Sequence, residues 1–384
     1  MTNEYIAKTF LGLEGVLEKE LQDLGATRTK KLSRAVSFDG DLEFLYKANL
    51  QLRTALRILH TLDTETVKHQ NHLYNFAHSI NWLRWFTANE TFAVRAKVIK
   101  APEFNNSNFV ALKVKDAIVD QFRRIGGARP SVDKNNPDVL IDVIVFKDKC
   151  TISIDSSGES LHRRGYRESG HRAPLNEVLA AGMVLLSGWD INTPLIDPFC
   201  GSGTILTEAA TYACNIPPNI KREKFGFASW KNFDSKLWDR VWLEAKVAKR
   251  KYEGRIIGSD ISPKIIDHAR AHVVAAGVDD CIRLSSKEFE FRNIPEGPGT
   301  IIANPPYGER MDFADIEVMY QIIGDKLKTD CAGYNAWLIS SVQNFNRFIG
   351  LRPSKKIPLF NGGLECQYMK FEMYQGTRRV DKQE

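Results

Sequence analysis

"LIDPFCGSGTILTEAA", residues 195–210, is the stretch on which the reading of the fold turns. "PLIDPF", from residue 194, reads as a strand that places Asp197 at its end, Gly201 and Gly203 fall in the turn that opens a helix, and "GTILTEAATYAC" carries the helical spacing. Glycines in a strand-to-helix turn let backbone N–H groups approach a ligand, and the helix N-terminus behind them favours a carboxylate or phosphate. The third glycine of the dinucleotide-binding fingerprint does not follow, so the turn alone does not choose between ligand classes.

Working outward, "RIIGSDI", "CIRLSS", "TIIAN" and "AWLISS" are further strand-like runs, separated by helical segments such as "SPKIIDHARAHVVAAG" and "IEVMYQIIGDKLKT". Strands alternating with crossover helices predict a doubly wound, mostly parallel α/β sheet over 161–384. The run "SKKIPLFNGGLECQYMKFEMY" adds a terminal antiparallel hairpin, signalled by Asn-Gly-Gly between two strand patterns. A long insert at 214–254 delays the second strand.

Residues 1–160 read as α+β material. "NEYIAKTFLG" alternates like a strand, "GLEGVLEKELQDLG" is helical, and "DLEFLYKANLQLRTALRILHTL" predicts one longer amphipathic helix. "TFAVRAKVI", "NSNFVALKVKDAIVDQFRRIGG", "DVLIDVIVF" and "KCTISIDSS" follow as strand, helix, strand, strand. Lys97, Lys113, Lys115, Arg123, Arg124, Arg129 and Lys134 place positive charge along this region and suggest one phosphate-binding face. Between the halves, "ESLHRRGYRESGHRAPLNEVLAAGM" has no apolar periodicity and reads as a charged linker. Its Arg163, Arg164 and Arg167 extend the candidate phosphate-contacting set, and Pro174 marks the first turn of the next helix.

Composition is that of a globular protein with room for two or three cores: 384 residues, 43% hydrophobic and 26% charged. No apolar run is long enough to span a bilayer and the N-terminus lacks signal-peptide character, so a cytoplasmic location is expected. Six cysteines without a CxxC pair argue against a zinc site or a disulfide framework, and no metal is expected. The net charge of +6 leans towards a polyanionic partner.

Three acids sit at successive strand ends. Asp197 closes the first strand; Asp260, in "GSDIS", is placed to accept a ribose diol; Glu288, in "SSKEFEF", can accept an adenine amine. An adenosine ligand with an amino-acid-like tail near 197–203 is indicated.

"DPFCGSG", "GSDIS" and "NPPYGER", in this order along one α/β domain, resemble the class I methyltransferases that use S-adenosylmethionine on exocyclic base amines. With "LHRRGYR", "APLNE", "FGFASW" and the N-terminal half, the chain is similar to the THUMP-domain RNA guanine-N2 methyltransferases of RlmL type. The resemblance implies a Rossmann-like catalytic domain preceded by a ferredoxin-like and THUMP region, the THUMP part covering about 44–156. It also implies S-adenosylmethionine as cofactor, structured RNA, in particular large-subunit rRNA, as partner, and action on guanosine N2. Carried onto this sequence, it assigns the cofactor to Pro174, Asn176, Asp197, Phe199, Cys200, Gly201, Ser202, Gly203, Asp260, Ile261, Glu288, Phe289 and Asn304, and catalysis to Asn304, Pro305, Pro306 and Tyr307. Glu288 stands where the family often has Asp.

The tetrapeptide has a physical reading. An exocyclic amine is a poor nucleophile because its lone pair spreads into the ring. Two acceptors, the Asn304 side-chain oxygen and the Pro305 carbonyl, can hold its N–H bonds and turn the lone pair outward, while Tyr307 stacks on the base. The same acceptors fit guanine N2 and adenine N6, so an adenine-N6 nucleic-acid methyltransferase is the alternative enzyme. A non-catalytic RNA-binding or assembly factor, and a nicotinamide-dependent dehydrogenase, are weaker readings from other classes. Oligomeric state is not legible.

Overall fold

The computed structural model describes residues 3–167, 175–306 and 313–374. The chain forms two compact units and passes between them several times: one comprises Met1–Thr9, Leu17–Arg163 and Asn219–Val247, the other Phe10–Val16, Arg164–Pro218 and Ala248–Glu384.

The first unit is built on a seven-stranded sheet: β1 (Asn3–Lys8), β2 (Thr27–Leu32), β3 (Ala35–Gly40), β4 (Arg57–Thr66), β5 (Phe92–Ile99), β6 (Val139–Phe146) and β7 (Lys149–Asp155), in the order β2-β3-β1-β4-β7-β6-β5. All pairings are antiparallel except β5 with β6, which the crossover helix Ser107–Gly126 makes possible. That helix buries Val110, Val114 and Ile118 in one core with Ile141, Val143 and Val145. Asn106 caps its start by accepting the N–H groups of Asn108 and Phe109, and left-handed Gly127 ends it.

The single long helix expected across 41–62 is instead two elements. Leu42–Gln51 is helical and β4 begins at Arg57. The Glu20 carboxylate accepts the Arg53 N–H at 2.8 Å, the Thr54 N–H at 3.0 Å and the Thr54 hydroxyl. Those donors are thereby held outside a helix and the chain turns into the sheet. Strands β2 and β3 had no counterpart in the sequence reading.

The insert after Cys214 was expected within the second half, but Asn219–Val247 belongs to the first unit. Tyr46, Phe227 and Trp238 meet there, with Tyr46–Phe227 centroids 4.5 Å apart and Phe227–Trp238 5.2 Å apart. Asn219 Nδ2 donates to the Asn49 carbonyl and the Asp234 N–H to the Tyr46 hydroxyl.

The second unit carries β8 (Leu195–Asp197), β9 (Ile256–Asp260), β10 (Ile282–Ser286), β11 (Gly299–Ala303), β12 (Tyr334–Ser340), β13 (Lys355–Asn361) and β14 (Leu364–Glu372), in the order β10-β9-β8-β11-β12-β14-β13. The first five are mutually parallel, and β14 and β13 close the edge as the expected antiparallel hairpin. Chain order reverses direction between β8 and β11. In open α/β sheets ligands bind outside the carboxyl ends of the strands at such a switch point. Asp197 and Asn304 lie at those two strand ends. Among the described residues no helix is long and apolar enough to cross a membrane.

Glu20→Ala strands the two backbone donors at 53 and 54, each worth about 1–3 kcal/mol when buried without a partner. The first unit should therefore lose roughly 2 kcal/mol or more. Urea titration followed by tryptophan emission reads this unit, which holds Trp82, Trp85, Trp230, Trp238 and Trp242.

Candidate active site

In the second unit the turn after β8 is shaped by two left-handed glycines, Gly201 at φ 52° and Gly203 at φ 80°. A Cβ on Gly203 would sit 3.3 Å from that of Ala269, so the turn presses against the helix Pro263–Ala276 as well as needing the conformation. Gly203 precedes helix Thr204–Ala213 and supplies no side-chain cap, which leaves the first-turn N–H groups available to a ligand. The turn is fixed from the next strand: Cys200 N–H donates to the Ser259 carbonyl at 2.9 Å and Gly201 N–H to Asp260 Oδ2 at 3.2 Å. Asp260 Oδ1 accepts the Ser262 N–H at 3.0 Å.

Asp197 is buried to 1% exposure. It accepts the Phe199 N–H at 3.1 Å through Oδ1, while Oδ2 has no hydrogen-bond partner among the described residues. Burial pushes its pKa up to about 8; the Phe199 N–H lowers it and the nearby Asp260 charge raises it further. A carboxyl held this way is waiting for a donor or a cation. At the end of β11, Asn304 Oδ1 is likewise buried without a partner.

These groups share a cavity of about 890 Å³. It is walled by Asp197, Phe199, Cys200, Gly201, Ser202, Asp260, Ile261, Glu288, Phe289, Asn304 and Pro306, all from the expected set. Phe199 and Phe289 meet edge-on, ring centroids 5.8 Å apart. Burial drives the Cys200 thiol well above its ordinary range, so it is no nucleophile. Gly203, Asn176 and Pro305 are not on the wall. Asn176 instead caps helix Glu177–Ser187, accepting the Val178 N–H at 2.9 Å, and Pro305 is buried. Pro174 and Tyr307 lie outside the described residues. Sequence reasoning missed the apolar wall that helix Phe313–Asp330 presents through Val318, Met319, Ile322 and Ile323, although their spacing of three and four marks one helix face.

The linker reading of 159–167 also needs correction. Arg164 is buried to 2% exposure in the second unit, its Nε 3.6 Å from Glu208 Oε1, and Tyr166 donates to that same oxygen at 3.0 Å. Arg167 pairs with Glu177 at 2.8 Å and donates to the Leu175 carbonyl and the Thr204 hydroxyl. Their heads are occupied by buried carboxylates, and Arg167 braces the first residue of the helix that follows the glycine turn. Arg163 is exposed and paired with Glu159.

Residues 164–370 match the family described as "RMKL-like, methyltransferase domain". The chain belongs to that family. Residues 68–155 match the THUMP domain and residues 4–59 the RlmL ferredoxin-like domain. Over 381 residues the chain is 38% identical to the ribosomal RNA large subunit methyltransferase K/L of Marinomonas sp. strain MWYL1, covering 97% of this chain and 53% of that one. The chain thus spans about half the length of this curated relative. Among solved structures, a possible methylase from Clostridium difficile 630 is 31% identical with a TM-score of 0.91, covering 99% and 100% of the two chains. SMU.472, solved with S-adenosylhomocysteine, is 29% identical with a TM-score of 0.89 over 98% and 99%. A predicted N6-adenine-specific DNA methylase of Listeria monocytogenes is 29% identical with a TM-score of 0.87 over 98% and 97%. Within the RMKL-like family fold, the cavity occupies the switch point of the sheet.

Asp197 supplies a pH test. Its folded pKa lies above the unfolded value of 3.8, so below that value both states are protonated and nothing is lost. From pH 4 to 8 the unfolded carboxyl ionises while the folded one stays neutral, and stability falls; above pH 8 the penalty is constant. Asp197→Asn keeps the acceptor for Phe199 and removes the titration. Calorimetric unfolding should show this variant gaining on the wild type steadily between pH 4 and 8 and no further beyond.

Proposed function

We propose that this chain is an S-adenosylmethionine-dependent RNA methyltransferase acting on the exocyclic N2 of a guanosine, in large-subunit rRNA and in the cytoplasm. The observation that carries the reading is the orphaned, buried Asn304 Oδ1 in the cavity wall, on the strand end beside the glycine turn. Support comes from the curated K/L relative, from the THUMP match, and from the neighbour that holds S-adenosylhomocysteine.

The residues present fit the cofactor. The orphaned Asp197 Oδ2 suits the ammonium of an amino-acid tail, and the Gly201–Gly203 turn with its open helix N–H groups suits the carboxylate. Asp260 keeps lone pairs for a ribose diol beyond the two N–H groups it accepts. Glu288 and Phe289 line the side expected to hold adenine. When bound, S-adenosylmethionine supplies an electrophilic methyl group. Asn304 then accepts an N–H of the target amine and fixes the direction of its lone pair. Tyr307 is assigned to stacking on the base. No strong base is needed, because the amine proton becomes acidic only as the new bond forms. Domain roles follow: 1–160 as the RNA-binding half, 161–384 as the catalytic half, with Lys97, Lys113, Lys115, Arg123, Arg124, Arg129, Lys134 and Arg163 as phosphate contacts.

Adenine N6 remains the second reading, because the Listeria neighbour carries that description and Asn304 serves either amine.

Incubating purified protein with unmodified rRNA and labelled cofactor should yield N2-methylguanosine on nucleoside analysis. Asn304→Ala should lower kcat by at least about 100-fold, the usual cost of losing a positioned polar group, with cofactor affinity held within about threefold by calorimetry. Recovery of N6-methyladenosine would move the substrate to adenine; full activity of the variant would remove Asn304 from the mechanism.

A further inference from the structure

Side chains alternate along β6. Val139, Ile141, Val143 and Val145 are fully buried against the helix Ser107–Gly126, whereas Leu140, Ile144 and Phe146 on the other face are partly or largely exposed. Phe146 is 46% exposed. A single exposed apolar side chain needs no explanation. This one is the last residue of β6 and is flanked on both sides: Ile99, which ends β5, is its parallel neighbour and Lys149, which begins β7, its antiparallel one. The next row on the same face runs Lys97, Ile144, Thr151, Thr64, with the two threonine hydroxyls 3.0 Å apart.

The charge on this face is one-sided where it meets solvent. Its acids, Asp142 and Asp155, are buried and already engaged by Lys8 at 2.8 Å, Arg57 at 2.6 Å and Arg95 at 3.5 and 3.6 Å. Lys97 and Lys149 are exposed, and the turn adds Lys147, whose ammonium lies 5.8 Å from the Phe146 centroid, against a single exposed acid, Asp148. Lys97 thus points away from the helix that carries Lys113, Lys115, Arg123 and Arg124, and the basic face expected from the sequence is two faces.

We propose that the exposed end of this face, where β5 and β6 finish and β7 begins, is a stacking platform for an unpaired base of an RNA strand, with Phe146 as the ring and Lys97 and Lys149 as phosphate contacts. The proposal rests on the RNA reading above and gives it a substrate form, single-stranded rather than duplex. An exposed ring on a sheet surface stacks on a base splayed out of its helix, since bases paired within a helix hide their faces. A protein partner fits poorly, because lysine is depleted from protein interface cores and the apolar area here is one ring with two half-buried isoleucines.

The test uses the full chain, a labelled single-stranded ten-nucleotide RNA containing 2-aminopurine, and a blunt RNA duplex. Phe146→Ala should weaken single-strand binding by roughly 5- to 100-fold. It should also abolish the stacking-induced quenching of 2-aminopurine while leaving duplex affinity unchanged, and Phe146→Trp should restore both binding and quenching. Lys97→Ala and Lys149→Ala should each reduce the slope of log affinity against log salt by about 0.7 for the single strand. Wild-type single-strand affinity and quenching in Phe146→Ala would overturn the platform alone. Absence of all RNA binding by the wild type would overturn the RNA reading and the platform with it.

Discussion

Two backbone hydrogen bonds to one carboxylate organise the second unit. Asp260 accepts the Gly201 N–H through one oxygen and the Ser262 N–H through the other, so the turn after β8 and the turn after β9 are held by the same side chain. Parallel strands alone fix the height of their ends, not the course of the loops that leave them. Joined at Asp260, the two loops present one continuous polar rim. The helix Pro263–Ala276 then packs so close to Gly203 that a Cβ there would lie 3.3 Å from that of Ala269, on a backbone already left-handed at φ 80°.

That rim explains why the orphaned groups are tolerated. Burying Asp197 with an oxygen unpartnered among the described residues is unfavourable, and protonation up to about pH 8 limits the cost. Asn304 Oδ1 is a milder case on the neighbouring strand. Both sit where the sheet reverses direction, so neither can be satisfied by a crossover helix. The stress is concentrated at the site where a ligand relieves it. Behind the rim, Arg167 and Glu177 tie the segment at 164–167 to helix Glu177–Ser187 and to Thr204.

What the sequence disclosed and what it concealed divides along the range of the interactions. The glycine turn, the strand–helix alternation and the Asn-Gly-Gly hairpin are local signals, and the strand order follows from them. The end of the helix at Gln51 is not local: it depends on Glu20, more than thirty residues away, taking the N–H groups of Arg53 and Thr54. The placement of Asn219–Val247 in the first unit rests on Tyr46 finding Phe227 and Trp238, nearly two hundred residues on. Arg164 and Arg167 looked solvated because arginines in a segment without periodicity usually are; the carboxylates that bury them, Glu208 and Glu177, read as ordinary helix residues. Lys97 is a different kind of miss, since the alternation of "TFAVRAKVI" already sets Arg95 and Lys97 on the face away from Val94 and Val98.

The polar groups on the two sheets also differ in kind, and the difference bears on where function sits. On the first unit's sheet, Lys8, Arg57 and Arg95 surround Asp142 and Asp155, so each buried carboxylate faces at least two cations. Such a closed network specifies register and leaves little capacity for a ligand. At the carboxyl ends of β8 and β11 the polar atoms are placed with the same accuracy but left open. The first arrangement holds a sheet together. The second is the less favourable of the two by itself, and its open atoms are those on which the proposed chemistry depends.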